Sequence, residues 1–208
     1  MNFWKRLLLS GWLWFGLTLA LIAVVTMLGP AERALGLRVR VVYLHGVWVW
    51  TALAAFVAAG VSGLVGLVSR RDSWHCWSRD LGLTGLFFWV TYLPLSLWAM
   101  QSTWNGLFLS EPRWRLALVF SISGILMQIG LHLIGNLRLV SLGNLVYIGL
   151  LIYSLLNTEN VMHPASPILT SDAWVIRLYF IGLLALTLLA AGQIARFFKR
   201  LVACRTKA

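Results

Sequence analysis

Acidic side chains are scarce: the 208 residues contain six, Glu32, Asp72, Asp80, Glu111, Glu159 and Asp172. None is expected deep inside an apolar stretch, which excludes an intramembrane carboxylate chain for relaying protons. Cysteine is scarcer still, with only Cys76 and Cys204. The two form no CxxC pair, which excludes a zinc cluster or a disulfide framework; both fall where the chain is expected to face the cytoplasm, so free thiols are expected. No GxSxG, phosphate-binding loop or HExxH is present, which removes the usual sequence grounds for hydrolysis or ATP use. Charge of either sign is thin, at 11% of residues, against about 25% in a soluble domain.

What fills the space is apolar. Hydrophobic residues make up 60% of the chain and the mean hydropathy is +0.84. A membrane-crossing helix needs about 20 apolar residues. Windows near Leu9–Gly29, Val42–Val68, Leu81–Gln101, Trp114–Ile134, Leu139–Leu156 and Ala173–Phe197 meet or approach that length. The expected fold is all-α: one integral membrane domain over residues 1–208, a polytopic bundle of about six transmembrane helices. Lys5 and Arg6 precede the first apolar stretch, which is too long for a typical signal-peptide core and reads as a retained span. The net charge of +11 comes mostly from residues at span ends, so it reads as topology and anionic-lipid contact rather than nucleic-acid binding. With the N-terminus inside, eleven basic residues lie inside and six outside, which predicts both termini in the cytoplasm.

Three outer segments follow: Pro30–Val41, Ser102–Arg113 and Asn157–Asp172. His45 lies at the outer end of the second span, with Trp48 three residues on and therefore on the same helical face. His163 lies in the third outer segment, immediately before Pro164 and four residues before Pro167, prolines that restrict the backbone there. Each histidine can be an interfacial or solvated side chain. Each can equally be a neutral nitrogen ligand for haem iron, and span counting puts both on one face. The middle segment joins Trp104 and Trp114 to Glu111, Arg113 and Arg115. Its aromatics suit a flat ring and its arginines suit carboxylates, although a belt anchored at the lipid interface needs the same residue types. His132, in the fourth span, is expected to bond a neighbouring helix, and His75 is expected in a solvated inner loop.

Tyr43-Leu44-His45 followed by Trp48, and Asn160-Val161-Met162-His163-Pro164-Ala165-Ser166-Pro167-Ile168, resemble segments of the cytochrome c assembly family of haem-handling membrane proteins, in particular its CcmC type. The tryptophan-rich segment departs from that pattern: Trp104 stands alone, Glu111 takes the place of an aspartate, and Arg113 keeps an arginine. The resemblance implies six spans with cytoplasmic termini and non-covalent haem b held at the outer face. It makes His45 and His163 the axial iron ligands. It puts Trp48, Trp104, Trp114, Glu111, Arg113 and Arg115 around the ring and its propionates. It also implies a bacterial inner membrane, a periplasmic haem chaperone as acceptor, and other cytochrome c maturation subunits as membrane partners. The expected role is capture and hand-off of haem, without catalysis. A b-type cytochrome subunit of a respiratory complex and a haem-free membrane assembly subunit are the alternatives.

Overall fold

A computed structural model describes residues 11–159, 168 and 171–201. These residues form six α-helices and no strand: α1 Gly11–Met27, α2 Val39–Ser69, α3 Asp72–Trp104, α4 Pro112–Ile134, α5 Leu137–Asn157 and α6 Trp174–Leu201. Helices α2 to α6 are long and apolar enough to cross a bilayer, while α1 is a shorter apolar helix of 17 residues. Large hydrophobic side chains such as Leu126, Leu133, Val68 and Leu156 stand exposed on the outer surface of the bundle, as lipid-facing positions do. The chain therefore has the build of an integral membrane protein.

Lipid tails are as apolar as leucine, so apolar burial alone does not drive helices together in a membrane. Close approach and interhelical hydrogen bonds do. Helices α2 and α3 form the central pair, with α5 and α6 against them, α4 against α3 and α5, and α1 on the outer side of α6. Gly66 of α2 lets the His75 ring in, since a Cβ there would lie 2.8 Å from its Nδ1. Gly82 of α3 does the same for Asn144, whose amide atoms would stand 2.7 Å from a Cβ. Through those gaps α5 bonds the central pair. Asn144 Nδ2 donates to the Ser78 carbonyl at 2.8 Å, and Gln128 Nε2 of α4 donates to Asn144 Oδ1 at 2.8 Å. Midway along the bundle, Thr51 of α2 meets Thr187 of α6 at 2.7 Å.

Several expectations need correction. Helix α3 begins at Asp72, nine residues before the apolar window, so His75 lies in a packed helix rather than in a solvated loop. It is 1% exposed and its Nδ1 is 2.7 Å from Ser141 Oγ. Asp80 is also fully buried in α3, where Arg79 Nε and a terminal nitrogen donate to its Oδ1 at 2.9 and 2.8 Å. Cys76 is buried and disulfide-bonded, not a free thiol; that expectation rested on compartment alone, and Cys204 lies outside the described residues. His132 is exposed, on a groove it shares with Leu83 of α3 and Val140 of α5, and makes no hydrogen bond to a neighbouring helix among the described residues.

Candidate functional site at the His45 end of the bundle

The end of the bundle opposite α3's first turn gathers the start of α2, the last turns of α3 and the start of α4. The α1–α2 connection is pinned locally. Glu32 Oε2 accepts from the Ala34 and Leu35 amides at 2.8 and 2.9 Å, Arg40 Nε donates to the Gly29 carbonyl at 2.9 Å, and Tyr43 Oη donates to the Pro30 carbonyl at 3.2 Å. Arg40 is thus accounted for by the fold. These ties fix the first turn of α2, where His45 is half-buried.

The His45 ring lies 5.4 Å from that of Tyr92, centroid to centroid. Tyr92 belongs to an aromatic face on α3: its ring is 5.1 Å from Trp89, and Phe88 lies 5.0 Å from Trp48. Phe88 and Trp89 stand four and three residues before Tyr92, so each shares a helical face with it, a signal present in the sequence. Trp48 is held by its Nε1, which donates to Thr91 Oγ1 at 2.9 Å. Trp89 Nε1 donates to the Ala117 carbonyl at 3.1 Å and so ties α3 to α4.

Helix α3 ends at Asn105 in the left-handed conformation (φ 55°), and a short loop leads to Pro112 at the first turn of α4. Glu111 is the N-cap residue, yet its side chain makes no capping bond. It is 4% exposed, and neither carboxylate oxygen has a hydrogen-bond partner among the described residues. The same holds for two buried donors beside it in sequence, Arg113 Nε and Trp114 Nε1. Both Arg113 and Glu111 lie within electrostatic reach of Tyr92, yet they form no ion pair with each other among the described residues. Buried polar groups are almost always satisfied; three of the four residues Glu111–Trp114 depart from this at one helix start.

The middle segment divides. Glu111, Arg113 and Trp114 turn toward the bundle, whereas Arg115 is exposed and its Nε donates to the Leu109 carbonyl at 3.2 Å. Trp104 is half-buried with its ring 5.8 Å from Phe108. The structure therefore brings His45, Tyr92, Glu111 and Arg113 to one end of the bundle. His163 falls outside the described residues. No group of three or more metal-ligating side chains occurs among the described residues. No family model matches this chain, and no curated protein or solved structure does.

Proposed function

We propose that this protein is a haem-binding membrane protein of cytochrome c maturation, not an enzyme, that holds haem b at one face of the membrane and releases it to an external chaperone. The observation that carries this reading is the meeting of His45 and Tyr92 with a helix start whose buried Arg113 Nε and Trp114 Nε1 lack acceptors. The donor set fits the group. An imidazole stands at the end of a span, an aromatic face lies beside it, and two buried N–H donors suit a carboxylate. Haem b, when bound, would supply an iron that takes neutral imidazole nitrogens as ligands.

In this reading His45 and His163 would hold the iron. Trp48, held by Thr91, gives a fixed flat wall, and Arg113 and Trp114 point donors at a propionate. Trp104 and the exposed Arg115 sit at the rim, where a haem chaperone and other maturation subunits would approach. Hand-off needs an accessible site, and placing His45 near a span end rather than mid-bilayer meets that need. The b-type cytochrome alternative relies on His132, which is exposed on the bundle surface, and so has less support.

The basic-residue count favours termini in the cytoplasm, which in this reading leaves the His45 end on the periplasmic side of an inner membrane. Reporter fusions decide it: Arg71 and Ala208 should read cytoplasmic and Glu159 external, and the reverse would place the site inside. The function itself is tested by the absorption spectrum of the purified protein with and without added haem. A low-spin bis-histidine spectrum is expected. A protein that takes up no haem refutes the proposal and leaves the assembly-subunit alternative.

A further inference from the structure

The outer helix α1 leaves a groove of about 610 Å³ against α6. Along α6 it is lined by Leu189, Gln193, Arg196 and Arg200, spaced i, i+4, i+7 and i+11, which puts them on one helical face. Its polar floor is fixed where Gln193 Nε2 donates to Thr18 Oγ1 of α1 at 3.0 Å. Toward the termini the mouth carries Arg196 and Arg200, both exposed and with no carboxylate partner among the described residues. Trp12 closes that end, its ring 4.4 Å from Phe197. Toward the bilayer centre the groove continues over Leu21 and Leu189, which are 48% and 53% exposed. A cationic mouth at a span end, a polar step one turn deeper and an apolar trough beyond follow the order of polarity in a phospholipid. We infer that this groove is a binding site for one anionic phospholipid, its phosphate between Arg196 and Arg200 and an acyl chain along Leu21 and Leu189. Two arginines one turn apart can meet a phosphate from both sides, and their guanidinium groups suit its oxygens. The site lies on the opposite end of the bundle from His45 and does not depend on the haem proposal.

The test measures thermal unfolding of the full chain in nanodiscs of phosphatidylcholine alone and of phosphatidylcholine mixed with phosphatidylglycerol, together with lipid retained in native mass spectrometry. Phosphatidylglycerol should raise the midpoint and remain bound as one molecule, since a ligand of the folded state stabilises it. Arg196→Gln with Arg200→Gln should weaken that retention about tenfold or more, the scale of a lost charge-assisted contact. Leu189→Trp keeps both charges but fills the trough, and should weaken it as well. Arg70→Gln with Arg71→Gln removes two exposed charges outside the groove and should leave retention intact. Equal losses in the Arg70 and Arg71 variant would show general surface attraction and overturn the site. Unchanged retention in the Arg196 and Arg200 variant would overturn it too, as would a groove covered by the chain's own first ten residues, seen as retention that appears only when they are deleted.

Discussion

The two ends of this bundle treat buried polar groups in opposite ways. At the end that carries the start of α3, His75, Ser78, Asn144 and Gln128 form one interhelical network, and Arg79 and Asp80 pair beside it. Each bond there joins helices or braces a turn, and the buried oxygens left over at that end are Asp80 Oδ2 and, on α6, Gln193 Oε1. At the His45 end, Glu111, Arg113 and Trp114 bury polar atoms with no partner among the described residues. A network that satisfies itself holds helices together. A set that does not is costly to maintain, about 1–3 kcal/mol per unmet group, and the proposed ligand would complete it. The comparison separates scaffold from site without any appeal to which residues look chemical: His75 is the more deeply buried histidine, yet it belongs to the scaffold.

The largest effect expected to sharpen this contrast is at the histidines. His45→Ala should abolish the bis-histidine spectrum, and His163→Ala should do the same, because a six-coordinate iron needs both ligands. His75→Ala should leave the spectrum of the folded fraction unchanged while lowering the thermal midpoint. An unchanged spectrum in His45→Ala would remove the site from this end of the bundle.

Next comes Asp80→Asn. It keeps the shape but replaces a charge-assisted pair with a weaker one, and should cost about 2 kcal/mol of stability with haem uptake intact, measured by denaturant titration in detergent and by haem titration. A loss of haem uptake without a loss of stability would mean that the two ends are not independent. Arg113→Ala and Trp104→Ala should show the reverse pattern. Each should weaken haem binding by about 1–3 kcal/mol, the scale of a charge-assisted bond or a buried aromatic, with the spectrum of the retained haem unaltered. Titration curves that overlay the parent's would make both residues lipid-interface anchors only.

Hydropathy located every helix among the described residues because a span is a local property: about 20 apolar residues announce themselves. The first nine residues of α3 did not, since Asp72-Ser73-Trp74-His75-Cys76-Trp77-Ser78-Arg79-Asp80 is polar by composition. It is helical because its partners lie far along the chain. Ser141 and Asn144 stand 66 residues from His75 and Ser78, and no local window carries that pairing. The same limit hid Tyr92. His45, Glu111 and Arg113 were legible as residue types at a span end, but their common neighbour was not, because it sits on a third helix whose aromatic face reads as ordinary core. Conversely, Arg115 carried the same chemistry as Arg113 in the sequence and turns out to face away, one residue type pointing in two directions around a helix turn.

The smallest expected effect is the most discriminating. Glu111→Gln changes a buried side chain by one charge and almost no volume, as Asp80→Asn does at the other end. If Glu111 is part of the scaffold, removing its charge should cost about as much as at Asp80, since a structural carboxylate is kept for its partners. With no partner, the carboxylate is a desolvated charge that the fold tolerates, and the neutral amide should leave stability unchanged or raise it by about 1 kcal/mol or less. Paired denaturation curves of the two variants therefore compare the two ends directly. A fall in Glu111→Gln matching that of Asp80→Asn would show that Glu111 is braced after all, and would withdraw it from the site. A neutral or stabilising change accompanied by altered haem retention would assign its charge to the ligand rather than to the fold, for a buried carboxylate beside Arg113 sets how strongly that arginine is available to a propionate.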